Sequence, residues 1–193
     1  MDEQTKKQAS VKERLLLAGI DELGRSGIQN FSIRRVAAAC GVSCAAPYNH
    51  FSDKNDFILA IIAYINGQWV EIQAGIAEKY AGDTRRQLIE TSVAYVRFLC
   101  KNPYFRSILM QRDDSLAPEQ LRAKSQMSPG TKALVDKYCE ETQMPPETRV
   151  RKTFVVRSLI YGAALMLDNG ELENNQESFD FIAQAIAREF DLP

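Results

Sequence analysis

The spacing of the apolar residues is the feature that most constrains the fold of this 193-residue chain. From residue 10 onward they recur every three or four positions, the period of an amphipathic helix, and no useful stretch alternates with the period of two that a strand needs. Hydrophobic residues make up 45% of the chain, enough to build a sizeable core. The sequence therefore predicts an all-α protein of nine or ten helices.

Capping residues and glycines set the ends of the predicted helices. Ser10 is expected to cap the first helix, which Gly24 and Gly27 end, and Gly41 stops the second. Pro47 is tolerated only near the start of a helix, so the third helix is expected to begin at residue 43 or 44. The predicted helices span residues 10–26, 32–40, 43–49, 53–80, 84–101, 104–111, 130–143, 147–167 and 177–190, with one further turn near 119–124.

Residues 10–51 have the spacing of a helix-turn-helix. Two short helices meet across a tight turn in which Gly41 supplies a positive φ and Val42 fills the corner. Ala37 is small enough to let the second helix cross closely. Ser43 is expected to cap that helix, whose free N–H groups would favour phosphate oxygens. A DNA-binding motif is indicated, although such corners also occur in all-α domains that bind no DNA.

The residues around this turn resemble a known family signature. The matching positions are Ser32, the Val-Ala pair at 36–37, Gly41-Val42-Ser43, Tyr48, His50-Phe51 and Lys54. Over residues 10–58 the sequence closely resembles the TetR/AcrR family of transcriptional regulators. The resemblance implies an amino-terminal three-helix helix-turn-helix DNA-binding domain at 1–53, followed by a helical ligand-binding and dimerisation domain at 54–193. The sequence departs from the commonest pattern at Cys44, often Lys in the family, and at Pro47, usually Leu or Val.

The resemblance also implies roles for individual residues at a DNA interface. Phosphate contacts are implied for Ser32, Ser43, Tyr48, His50 and Lys54. Base contacts would fall to Arg34, Cys44, Ala45, Ala46 and Asn49. Phe51 is expected in the core, and Tyr48 could instead be a second core aromatic. His50 is the chain's one histidine and lies in no carboxylate cluster, so no metal or cofactor is predicted.

Charge and cysteine usage bear on partners and compartment. A net charge of −1 by itself argues against nucleic acid, but residues 1–54 carry eight Lys or Arg against six Asp or Glu. An anionic partner would therefore meet the amino-terminal third. The four cysteines lack disulfide spacing, and the chain shows no signal-peptide core. Its apolar runs are far shorter than the roughly 20 residues of a membrane span. These features favour a cytoplasmic protein with no membrane partner.

The carboxy-terminal part carries no catalytic constellation, so no enzyme activity is expected. The helix at 147–167 is apolar nearly all round and should be buried on several sides. One face is expected to pack within the domain, through Phe154, Ser158, Tyr161 and Leu165. The resemblance implies that the last two helices form a four-helix bundle across a dimer axis, through Val155, Leu159, Gly162, Ala163, Met166, Phe179, Ile182 and Ile186. A core helix of a monomer would show the same pattern.

A small-molecule pocket is a further expectation from the family. The candidate lining residues are Trp69, Tyr95, Phe98, Tyr138, Arg157 and Tyr161. If Arg157 is buried, it needs an internal carboxylate or an acidic ligand. The leading hypothesis is a ligand-responsive transcriptional regulator, a repressor that binds a palindromic operator as a homodimer. The alternatives are an all-α protein-interaction module and a small enzyme that uses the carboxy-terminal cavity.

Overall fold

The computed structural model describes residues 10–103, Arg106, Pro118 and residues 129–192. This part of the chain holds helices and no strand, which confirms the all-α prediction. The helix predicted at 104–111, apart from Arg106, and the turn near 119–124 lie outside the described residues. The elements are α1 (Val11–Asn30), α2 (Ile33–Ala39), a 3₁₀ helix (Ala46–Asn49), α3 (Lys54–Lys79), α4 (Thr84–Lys101), α5 (Pro129–Glu141), α6 (Pro146–Asp168) and α7 (Gln176–Asp191).

The described residues form two compact units. The first comprises residues 10–65 and Pro118, and the second comprises residues 66–103, Arg106 and residues 129–192. The division falls inside α3, whereas the sequence suggested a boundary between residues 53 and 54, where α3 begins. Helix α3 therefore supplies residues to both units.

Local capping starts the first two helices as the sequence predicted. The Ser10 hydroxyl accepts a hydrogen bond from the Glu13 N–H at 3.1 Å, and the Ser32 hydroxyl accepts one from the Arg35 N–H at 3.4 Å. Each bond satisfies one of the free N–H groups of a helix start. Gly41 ends the second helix with a φ of 67°, the left-handed conformation that the turn requires.

The end of α1 differs from the prediction. Gly27 does interrupt the helix, with φ 67° and ψ 172°, but a further helical turn continues to Asn30. Gly24 lies inside the regular helix, so its assignment as a stop was wrong. A glycine permits a left-handed stop without requiring one, and only the residues around it decide which of two nearby glycines is used.

The third helix is shorter and starts later than the sequence suggested. It is a 3₁₀ helix over Ala46–Asn49, preceded by Ala45 and without a side-chain capping bond, so Ser43 is not its cap. The carbonyl of Ser43 instead accepts a hydrogen bond from the Ala46 N–H at 3.0 Å. Pro47 is the physical reason. It has no N–H to offer the Ser43 carbonyl, and its ring would clash with that carbonyl in an α-helix.

An aromatic cluster forms the core of the first unit behind the 3₁₀ helix. Phe51 is buried, as predicted, and its ring stacks on Phe57 with the ring centroids 4.0 Å apart. Phe31 meets the same Phe57 ring edge-on at 5.5 Å. Phe51 lies two residues after the end of the 3₁₀ helix, so this stacking fixes the end of that helix to α3. The side chains of Tyr48 and Asn49 on the 3₁₀ helix remain exposed.

In the second unit, α4 packs against α5, α6 and α7. The buried face of α6 is formed by Val156, Ile160, Ala163, Ala164 and Leu167. The inward face predicted from the sequence was wrong: Phe154 is 70% exposed, and Ser158 and Leu165 are also exposed. A helix that is apolar nearly all round has no polar stripe to orient it, so packing against α4 and α7 decides its rotation.

Helix α3 is long and apolar enough, by length and composition alone, to cross a membrane. The sequence did not predict a helix of this kind, because its longest apolar runs are far shorter than the roughly 20 residues that a membrane span needs. However, Phe57, Ile61 and Ile65 are fully buried in the first unit and Trp69 is buried in the second. We therefore interpret α3 as a core helix of both units.

Candidate nucleic-acid interface and ligand cavity

An ion pair joins the first two helices of the amino-terminal unit. Arg35 on α2 donates from Nε and Nη2 to Glu22 Oε1 on α1, at 2.8 and 2.5 Å, and from Nη2 to the carbonyl of Asn30 at 2.6 Å. The hydrogen bond from Arg35 lowers the pKa of the Glu22 carboxyl, which therefore stays ionised although the residue is buried. This ion pair was not predicted from the sequence. The available signal was Glu22, an acidic residue among the inward-facing positions of α1, which would need a cationic partner.

The ten predicted DNA contacts surround the turn and the 3₁₀ helix, and all of them are accessible. Tyr48 is 57% exposed, so it is not a core aromatic. Arg34 is exposed, whereas its neighbour Arg35 is held by Glu22. The exposed positions are Arg34, Ser43, Cys44, Ala45, Tyr48, Asn49 and His50, and the half-buried ones are Ser32, Ala46 and Lys54.

Lys54 has a partner inside the protein. Its Nζ donates to the carbonyl oxygen of Gln29 at 2.9 Å, near the end of α1. The start of α3 is fixed separately, because the Asp53 carboxylate accepts from the Asp56 N–H at 2.8 Å. An ammonium has three N–H donors, so the contact with Gln29 leaves Lys54 able to bind a second acceptor.

The second unit encloses an open cavity of about 760 Å³. Four of the six predicted ligand residues line it, namely Trp69, Tyr95, Arg157 and Tyr161. The other two lie elsewhere. Phe98 is buried behind Trp69, with the ring centroids 5.3 Å apart, and Tyr138 lines a narrower cavity of about 120 Å³ whose wall also includes Arg157.

The cavity wall combines aromatic rings with a guanidinium group. The rings of Trp69 and Tyr95 lie 4.7 Å apart between centroids. Burial raises the pKa of the Tyr95 phenol further above its usual value, so the hydroxyl stays neutral and can donate a hydrogen bond. The Arg157 guanidinium lies 5.9 Å from the Tyr161 ring centroid. Arg157 is exposed, so the partner that a buried arginine would need is not required here.

Comparison with known proteins identifies the amino-terminal unit. Residues 15–61 match the tetR family of bacterial regulatory proteins. By this match, the amino-terminal helix-turn-helix segment is similar to that of the tetR family. Over 82 residues, 42% of the chain, it is 27% identical to the HTH-type transcriptional regulator YerO of Bacillus subtilis (strain 168), and the match spans only 28% of that relative's length.

Solved structures of tetR-family proteins share the fold. A TetR family transcription regulator from Marinobacter aquaeolei VT8 superposes with a TM-score of 0.73 at 19% identity, covering 92% of this chain and 94% of that one. A TetR transcriptional regulator from Legionella pneumophila gives a TM-score of 0.72 at 15% identity, covering 94% and 98%. The matched family is one of bacterial regulatory proteins.

The surface of α6 and α7 is partly apolar and open. Five large apolar side chains are exposed there: Val150 (70%), Phe154 (70%), Leu165 (46%), Met166 (39%) and Phe181 (63%). An apolar groove beside them is lined in part by Val155, Leu159 and Gly162.

Half of the residues predicted for a dimer interface have low exposure in the protomer. Ala163, Phe179, Ile182 and Ile186 are each at most 8% exposed, and Ala163 and Ile182 also line the apolar groove. Phe181 was missed because it lies off the apolar stripe of α7. A large aromatic on the otherwise polar side of an amphipathic helix was the signal.

Proposed function

We propose that the chain is a DNA-binding transcriptional regulator whose first unit docks on duplex DNA through the surface around the 3₁₀ helix. The observation that carries this proposal is the joint exposure of Tyr48, Asn49 and His50 on the segment that the buried Phe51 anchors, together with the exposure of Arg34 on α2. An aromatic hydroxyl and an imidazole beside an amide and a guanidinium supply both kinds of group that DNA recognition needs, phosphate donors and base-edge readers.

In this proposal, one group of residues contacts phosphates and another contacts bases. Tyr48, His50 and Lys54 contact phosphates and fix the register on the duplex, while Arg34 and Asn49 read base edges. Ser32 uses its hydroxyl to cap α2, so a phosphate contact there would come from the backbone N–H groups at the start of that helix.

We further propose that the protein acts as a homodimer on a palindromic operator in the cytoplasm. The exposed side chains of Phe154, Met166 and Phe181 support an interface through α6 and α7, since such large apolar groups seldom cluster on a monomer surface. A methyl group built on Gly162 would meet nothing within 4 Å in the protomer, which leaves room for a partner helix. Two copies related by a two-fold axis would bind two half-sites of opposite orientation.

The cavity supports a response to a small-molecule effector. A ligand that binds one conformation more tightly shifts the protein toward it by the difference in binding free energy. Helix α3 carries Lys54 in the first unit and Trp69 in the cavity wall, which makes it the candidate lever. A ligand that favours a half-site spacing unsuited to the operator would release DNA, so the regulator would act as a repressor.

Selection from a randomised pool of duplex DNA tests the proposal directly. The full chain should enrich an inverted repeat, and fluorescence anisotropy on the enriched sequence should show affinity that falls steeply as salt rises. A protein-interaction module would enrich no sequence. Failure to enrich any sequence, together with salt-independent or absent binding, would contradict the proposed function.

A further inference from the structure

We infer that the cavity of the second unit takes an amphipathic organic monocarboxylate, with its carboxylate at Arg157 and its apolar body against Trp69 and Tyr95. The inference rests on the proposed function and names the ligand class of that regulator. It also predicts that the neutral amide of the same molecule is a much poorer ligand.

The charged residues that line the cavity indicate the charge of its ligand. Among the described residues, no Asp or Glu lines either the large cavity or its narrower neighbour, whereas basic residues line both. The basic lining residues are Lys132, Arg149, Lys152 and Arg157. A wall with cations and no carboxylate favours an anionic guest.

The partners of these cations single out Arg157. Arg149 forms an ion pair with Asp136, and Lys152 Nζ donates to the carbonyls of Glu189 and Leu192. Lys132 is exposed, as Arg157 is, but its compact ammonium is more strongly hydrated than a guanidinium and gives up water less readily for a carboxylate. Arg157 faces the Tyr161 ring and has no carboxylate partner among the described residues. One uncompensated guanidinium matches a single negative charge better than a dianion.

The rest of the wall matches an apolar body. The rings of Trp69, Tyr95 and Tyr161 line the cavity beside Val135 and Ile160, and a volume of about 760 Å³ lies within the range of small-molecule sites. Hydroxyl groups stand among these apolar groups. The neutral Tyr95 phenol and the hydroxyls of threonine and serine can donate to the second carboxylate oxygen.

The chain contains its own reporter for this site. Trp69 is its one tryptophan and lines the cavity, so tryptophan fluorescence of the full chain reads occupancy there. The probes are phenylalkanoates from phenylacetate to phenyloctanoate and alkanoates from hexanoate to dodecanoate, each paired with its primary carboxamide. At least one carboxylate should change the emission saturably, with an affinity at least roughly tenfold above that of its amide.

Two variants of the full chain localise the charge preference. Arg157→Gln should remove most of the difference between carboxylate and amide while leaving amide binding unchanged. Arg188→Gln is the matched control, because Arg188 is exposed on α7 and does not line the cavity. Circular dichroism of both variants checks that the helices remain folded.

Each outcome decides the inference. It is overturned if every amide binds as tightly as its carboxylate, if no carboxylate in the series changes Trp69 emission, or if Arg157→Gln keeps the full preference. The proposed function is read separately, by the DNA selection without any ligand. If the chain binds no DNA but keeps its preference for carboxylates, the proposed regulatory function is contradicted and the proposed carboxylate site is not.

Discussion

Arg35 on α2 donates two hydrogen bonds to a single carboxylate oxygen of Glu22 on α1. Glu22 is only 6% exposed, so the arginine is the main compensation for a charge buried between two helices. The pair links α2 to α1 at the position next to the exposed Arg34.

Removing the arginine should destabilise the first unit. Arg35→Ala leaves the buried Glu22 carboxylate with the Ser26 hydroxyl but without its cation, which is one of the costly ways to alter a protein interior. We expect a lower midpoint of thermal unfolding, followed by circular dichroism. Arg34→Ala is the matched control, since Arg34 is exposed, and it should unfold like the wild type. Equal midpoints for the two variants would show that the ion pair contributes nothing.

The same pair predicts a dependence of stability on pH. The Arg35 hydrogen bond lowers the pKa of Glu22 in the folded state below its unfolded value of about 4.3. Its contribution is therefore fully present above about pH 4.3 and is lost as the pH falls through the lower, folded pKa. In urea titrations at successive pH values, the wild type should lose its advantage over Arg35→Ala as the pH falls through this range. An advantage that stayed constant down to pH 2 would contradict the assignment.

Lys54 should contribute to DNA binding without regard to sequence. Lys54→Ala should weaken binding to all duplexes and lower the slope of log affinity against log salt by about one per subunit. Lys79→Ala, at the far end of the same helix, is the control and should leave the slope unchanged. The measurement is fluorescence anisotropy over a salt series. An unaltered slope for Lys54→Ala would mean that its bond to Gln29 is its whole role.

Asn49 should instead affect which sequence is bound. Asn49→Ala should relax the preference at one base pair in each half-site, at a cost of about 1–3 kcal/mol for a lost bidentate contact. Repeating the DNA selection with this variant measures the effect position by position. Weaker binding spread evenly over all sequences would reassign Asn49 to the phosphate backbone.

Phe181 is the residue of choice for testing assembly. Phe181→Glu should separate the subunits, because it places a charge in an apolar seam while the side chain is 63% exposed in the protomer. Ala163→Arg is less suitable, since Ala163 lines the groove but is only 8% exposed, so a large charged side chain there would also disturb the protomer's own packing. Val70→Glu, another exposed apolar position of the second unit, is the control. Sedimentation velocity reads the result, and a wild type that is monomeric at micromolar concentration would defeat the dimer proposal.

The sequence by itself determined the features that depend on neighbouring residues. Ser32 and Gly41 bound α2 as predicted, and α4 spans Thr84–Lys101, the range expected from its periodicity and the following Asn-Pro. Caps, positive-φ glycines and prolines act within one helical turn, so a linear reading captures them. The family signature is local in the same sense, and the match over residues 15–61 bore it out.

Only the tertiary structure decided which face of a helix is buried and which residues distant in the sequence come into contact. Helix α6 is apolar nearly all round, so its pattern could not tell the core-facing Val156 from the exposed Phe154, and packing against α4 and α7 made the choice. Glu22 and Arg35 meet because two helices pack together. Arg157 lies at a cavity formed by residues of four helices, whose described lining includes no carboxylate. Such relationships carry no signature in sequence spacing, since the interacting groups are brought together by the burial of other residues.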